Sequence, residues 1–187
     1  MRGRSSQVSK ILWMVMTVAV ASAATLDAPS FTTDNHLLRP ANYREWVWLS
    51  SGLGMSYSAP ASGEPGFDNV FVAPAAYRAF VQTGKWPENT MFVLEERESR
   101  SKGSINQSGH FQGALTGMVA EVKNSARFAG GWAFFDLSAS ASAKPLPKSS
   151  ACYSCHAQHG AVDNTFVQFY PTLLEIAKQK RTVRAAY

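Results

Sequence analysis

Cys152 and Cys155 are the only cysteines in this chain of 187 residues, and His156 follows the second directly. They stand in Ala151-Cys152-Tyr153-Ser154-Cys155-His156, a C-x-x-C-H pattern. A step of three along a helical turn sets both sulfurs on one side. Two thiols so placed can add across the two vinyl groups on one edge of a haem and form two thioethers. The next residue then brings its imidazole to the iron as the proximal ligand. The pattern reads as attachment of one haem c through Cys152 and Cys155, with His156 as the metal ligand. Three other readings of a C-x-x-C pair compete with it. A zinc site needs two further ligands with their own spacing, and the chain has no more cysteines. A thioredoxin-like pair belongs near the start of a helix in a βαβ pattern, which this late position does not suggest. A structural disulfide is the third.

The elements that must hold this motif can be read from pattern and punctuation. Residues 24–40 form an irregular lead-in broken by Pro29 and Pro40. Asn42 is placed to cap a helix in which Tyr43, Trp46 and Val47 share a face. Residues 50–66 read as a Ser/Gly/Ala/Pro loop. Phe67 to Ala73 is a strand by composition. Pro74 opens a helix with Tyr77, Phe80 and Val81 on one face, and Gly84 closes it. Thr90 to Glu96 is the next strand, and Arg97 to Gly109 a solvated hairpin tip. His110 to Val122 is a long strand, with bends or bulges at Gly113 and Gly117. Trp132 to Leu137 is a further strand, and residues 138–150 are a connector. The last helix should start at an Asp163 N-cap and be interrupted by Pro171. The expected class is α+β: an antiparallel β-sheet with short flanking helices, the haem attached in the C-terminal helical part.

Arg2, Arg4 and Lys10 precede the apolar run Ile11 to Val20, which leads to Ala21-Ser22-Ala23. This is the layout of a secretory signal peptide over residues 1–23, leaving one domain over 24–187. A membrane anchor is the alternative, but the run is short for a span. The whole chain has 18 Lys and Arg against 13 Asp and Glu; without the leader, 15 face 13. The near-balance, with no basic stripe, argues against a nucleic-acid partner. Export also suits haem c, which is attached outside the bacterial cytoplasm, so a periplasmic location is expected.

The residues also resemble a known family. Asn42-Tyr43-Arg44-Glu45-Trp46-Val47, Val72-Ala73-Pro74, Tyr77 and Thr83-Gly84 look like cytochrome P460 sequences. So do Lys123 to Phe128, Gly131 to Phe135, the C-x-x-C-H and Asp163-x-x-Phe166-x-x-Phe169-Tyr170-Pro171-x-Leu173. The resemblance runs through residues 40–175 in one order. It implies a sheet-rich periplasmic homodimer with one five-coordinate haem c per subunit, served by a partner cytochrome if it passes electrons. Two branches are similar in fold: P460 enzymes that oxidise hydroxylamine, and cytochromes c′-beta, which bind nitric oxide. The enzymes carry a lysine cross-linked to the haem ring, in the strand after the Thr-Gly turn. Here that position falls at Leu94, and no lysine occurs between Trp86 and Ser101. The resemblance therefore implies an uncross-linked haem and the c′-beta branch, a binder of small neutral gases such as nitric oxide. A haem-dependent oxidoreductase acting on hydroxylamine or related small nitrogen compounds is the alternative, so enzymatic activity stays open.

The sixth iron position decides between these. His159 lies on the same segment as His156 and cannot reach across the haem; Met55, Met91, Met118, His36 and His110 are the other donors weighed. Strand alternation from Leu94 suggests a distal cap of Phe92, Leu94 and Phe71, with Glu96 as a proton relay or an exposed strand end.

Overall fold

The computed structural model describes residues 27–55 and 65–185, so the expected signal peptide at 1–23 lies outside the described residues. Strand β1 (Leu37–Leu38) pairs with a distant strand of the connector, introduced below. Then come β2 (Val47–Leu53), β3 (Phe67–Val72), helix α1 (Pro74–Thr83), β4 (Met91–Arg100), β5 (Phe111–Lys123) and β6 (Trp132–Asp136). Strand β7 (Ser142–Ala143) closes the small pair with β1, and helices α2 (Ala151–His159) and α3 (Pro171–Gln179) follow. Strands β2 to β6 form one antiparallel sheet in sequence order. The class is α+β, as the alternation of apolar runs and turn residues predicts.

Punctuation was the surest local signal. Pro74 starts α1, and Gly84 ends it with φ of 70°, the left-handed geometry that glycine takes without strain. Pairing in β4–β5 slips at Glu96/Arg97 and again before Ser99, on the stretch facing Gly117 and Gly113. Several expectations fail, among them the loop over 50–66, whose first residues to Leu53 belong to β2. Tyr43–Glu45 is only a 3-10 turn, and Val47-Trp48-Leu49 opens β2 instead of continuing a helix. Aromatic and β-branched residues favour a pleated surface, and the sheet supplies the partner strand. No helix starts at Asp163 either: Val167–Phe169 is a 3-10 turn, and Pro171 is the first residue of α3. Proline suits that first turn because it has no N–H to leave unpaired.

Register sorts the sheet into two faces. Val70 lies opposite Leu94 and Leu94 opposite Val119; Val72 lies opposite Phe92, and Glu121 opposite both Phe92 and Phe134. This first face meets an aromatic group in which Phe92 contacts Trp86 edge-on at 4.8 Å and stacks on Tyr170 at 6.4 Å. The second face carries Phe71, Val93, Glu95, Met118, Ala120 and Phe135. The N-terminal segment covers it, with Phe31 against Phe135 at 6.2 Å and Tyr43 edge-on to Phe71 at 5.7 Å.

Glu95 is a charge buried in that second core, 1 % exposed. Tyr43 Oη donates to its Oε1 at 2.5 Å, Arg97 Nε to its Oε2 at 2.8 Å, and the Arg44 guanidinium also pairs with Oε1. Burial alone would raise its pKa, but Arg97, Tyr43 and Arg44 outweigh burial and hold it below the usual value. A carboxyl depressed on folding stabilises fully above its unfolded pKa and ceases to do so as pH falls through its folded one. Arg44 is more than half exposed, so the contribution is about 1–2 kcal/mol. Urea titrations should show this stability lost progressively as pH falls below the ordinary carboxyl range and through the lowered folded pKa of Glu95. Glu95→Gln should flatten that part of the profile.

Candidate haem-attachment site

Helix α2 carries the motif, and it is an unusual helix: none of its nine residues is buried. Cys152 and Cys155 are free thiols, both half-buried, and Ser150 Oγ lies 3.3 Å from Cys152 Sγ. Burial, with a smaller push from Cys152, raises the Cys155 thiol, which favours its protonated form. The helix is held by a few contacts at its flanks. The Tyr153 ring meets Phe134 edge-on at 4.9 Å, and its hydroxyl donates to Leu146 O at 3.1 Å. At the C-terminal end the Arg184 guanidinium donates to Ala157 O at 2.5 Å and to Gln158 O at 3.1 Å, carbonyls a helix end leaves unpaired.

His156 lies between Phe134 and Phe166, with ring centroids 4.5 and 4.4 Å away. Its Nδ1 is 2.8 Å from Asn164 O. A carbonyl oxygen only accepts, so Nδ1 carries the proton, and in the neutral ring Nε2 keeps its lone pair for a metal. The loop supplying that carbonyl is fixed from several sides. Asp163 and Asn164 are both left-handed, with φ of 47° and 60°. The Asp163 carboxylate accepts from Lys123 Nζ at 2.6 Å and from Trp132 Nε1 at 3.2 Å. Trp86 Nε1 donates to Thr165 Oγ1 at 2.9 Å. Asp163 is thus an anchor of the histidine's hydrogen-bond partner and not a helix cap. Asn and Asp tolerate left-handed geometry better than most residues, which was the available signal.

Two adjoining hollows run along the first face of the sheet, sharing Val70, Leu94, Phe166 and Tyr170. One, of about 460 Å³, extends over Phe92, Val119, Glu121 and Phe134 to His156. The other, of about 550 Å³, opens toward Ser50, Met55 and Asp68. Both volumes include open solvent, so the two hollows form an open cleft. Among the described residues no group of three or more His, Cys, Asp or Glu is placed to hold a bare ion. A porphyrin brings four equatorial donors of its own. Two thiols three residues apart, one imidazole with Nε2 free and an apolar cleft are therefore the donor set that a haem c needs.

Of the expected distal residues, Leu94 lines both hollows, and Phe92 lines the one beside His156. Phe71 does not face the cleft. It pairs with Val93 on the second face and packs on Tyr43, while Val70 takes the cleft position. Glu96 is exposed and lies across the sheet from Asp68; its Oε2 occupies the space where Gly117 lacks a side chain. Burial and then the Glu96 charge push Asp68 up to about 6. Met118 is buried on the second face opposite Glu95, and Met91 opposite Val122. His110 Nδ1 is 2.8 Å from Ser99 Oγ in the exposed hairpin, and His36 lies 3.5 Å from Asp34. Met55 is at the cleft's far end, its sulfur folded over Gly52.

Sequence reading missed Glu121. It is 8 % exposed, lines the hollow beside His156, and its Oε1 lies 3.4 Å from His156 Nδ1 without a hydrogen-bond partner. Burial raises its carboxyl, and His156 offsets this only in part. Burial alone would lower His156, but Glu121 and the Asn164 carbonyl outweigh that and raise it. A model of the cytochrome P460 family matches residues 40–167, which takes in the sheet, α2 and the loop that follows it. No curated protein matches the chain.

Proposed function

The chain belongs to the cytochrome P460 family, and from that premise we propose that it is an exported protein with one haem c, five-coordinate, that binds small neutral gases such as nitric oxide. In this reading Cys152 and Cys155 make the two thioethers and His156 is the axial ligand. The observation that carries it is the Nδ1–H to Asn164 O bond, which leaves Nε2 as the donor next to an apolar cleft. A haem c held there would supply a redox-active iron with affinity for nitric oxide. The residues do the rest. Phe134 and Phe166 flank the imidazole and limit its rotation. Val70, Phe92 and Leu94 line the cleft with hydrocarbon, which offers no hydrogen bond to an anion and favours an uncharged guest. The proposal extends to a periplasmic location, a homodimer and exchange of electrons with a partner cytochrome.

The second reading, oxidation of hydroxylamine, has one observation in its favour. Asp68, with a pKa of about 6 at the cleft's far end, can hold or release a proton near neutral pH. The lysine at the Leu94 position of the P460 enzymes weighs against it. The ferrous spectrum of the purified holoprotein separates the two. An ordinary high-spin five-coordinate spectrum, and uptake of nitric oxide without turnover of hydroxylamine, is the expected result. A Soret band shifted far to the red, or a low-spin spectrum showing two protein ligands, overturns it. Leu94→Lys should place an amine against the haem ring and alter the spectrum; an unaltered spectrum would mean that residue 94 is not beside the ring.

A further inference from the structure

Glu121 has no place in the scheme above, yet the fold spends a buried carboxyl on it. It sits on β5, inside the five-stranded sheet, and not on a loop that could swing it to water. Its Oε1 has no hydrogen-bond partner of its own and lies 3.4 Å from the Nδ1 that already donates to Asn164 O. The Nδ1 proton is held by a backbone carbonyl at 2.8 Å, and the carboxyl oxygen lies unpaired 3.4 Å from the same nitrogen. An orphaned buried acceptor costs free energy unless something uses it.

We propose that Glu121 is a positioning residue that sets how strongly His156 donates to the haem iron, through the imidazole Nδ1 beside which its unpaired Oε1 lies. The inference rests on the haem reading. An acceptor on the outer nitrogen makes the inner nitrogen the more basic ligand, and an ionised carboxylate does so more than a peptide carbonyl. A more basic ligand stabilises the oxidised iron over the reduced. Glu121 therefore biases the protein toward the ferric state and makes the ferrous, gas-binding state harder to reach. In this proposal Glu121 acts through His156, whose Nδ1 lies 3.4 Å from its Oε1.

The test is spectroelectrochemistry on the full-length holoprotein with Glu121→Gln and Glu121→Asp, beside resonance Raman spectra of the ferrous iron–histidine stretch. Glu121→Gln keeps the shape and weakens the acceptor. At a fixed applied potential it should raise the ferrous-to-ferric ratio about tenfold, or 59 mV for a one-electron couple. It should also lower the stretching frequency. Glu121→Asp keeps the acceptor one methylene farther back and should fall between. A ratio changed less than about twofold, with haem content unchanged, overturns the proposal. Should Glu121→Gln fail to mature, the wild-type stretch decides. A frequency no higher than that of a haem peptide whose imidazole bonds only to water would overturn the proposal. These failures differ from failure of the haem reading, which would show as a colourless wild-type protein or an iron not held by His156.

Discussion

Replacing Cys152 and Cys155 together by alanine is expected to leave no covalently bound haem. The pyridine haemochrome of the denatured protein should vanish, and acidified organic solvent should strip whatever colour remains. Each single replacement should keep one thioether. A second effect follows from the way α2 is held. Nine residues are fewer than the roughly 12–15 that an isolated helix needs in water. None of its residues is fully buried, and its ties to the rest run mainly through Tyr153, His156 and Arg184. A porphyrin in the adjoining cleft would give its inner side something to pack on. Hydrogen exchange at the α2 amides should be at least about tenfold faster in the double variant, or about 1.4 kcal/mol of local opening free energy. Amides of β4 and β5 should change far less. Equal acceleration throughout would mean that the haem supports the whole domain and not this helix in particular.

The second large effect is expected at Gly160. Its φ of −66° is ordinary, so the case for glycine rests on crowding and not on conformation. A methyl group there would stand 2.7 Å from His156 O, 2.7 Å from Asn164 C and 2.8 Å from Thr165 N. All three are backbone atoms, and none can swing aside as a side-chain tip could. The Gly160 N–H also donates to His156 O at 2.9 Å and ends α2. Gly160→Ala must therefore push the 163–165 loop away from the helix and draw the Asn164 carbonyl off the imidazole. A cost of about 2–4 kcal/mol in denaturant titration is expected. The thioethers should survive while the iron–histidine vibration changes. Gly130→Ala is the control: φ is 83°, but nothing lies within 4 Å of the added carbon. It should cost only about 1 kcal/mol and leave the spectrum alone.

Much of this molecule is legible in the chain because its signals are local. Pro74 and Gly84 bracket α1, and the apolar runs give β3, β5 and β6 nearly to their ends. The attachment motif is a fixed spacing within one helix, so it needs no tertiary knowledge. What could not be read depends on register. Phe71 and Val70 are neighbours in a strand, and which one faces the cleft is decided by the pairing of Val70 with Leu94. A one-residue ambiguity there exchanges the two faces. Glu121 and Asn164 were hidden for a related reason. Each meets His156 only when the sheet and the loop after α2 are brought together, and neither belongs to the motif. The Tyr43–Glu45 turn was misread because aromatics spaced for a helix also suit a strand once a partner strand is present.

Arg184 fastens the far end of the motif helix, and it stands 27 residues beyond Ala157, whose carbonyl it grips. On the proposal that the chain is exported from its amino end, the two thiols would arrive before that clasp. The enzymes that load porphyrin would then meet the thiols on a loosely tethered segment, and the fastening would come afterwards. Assembly order would thus be written into the separation along the chain between the two thiols and Arg184.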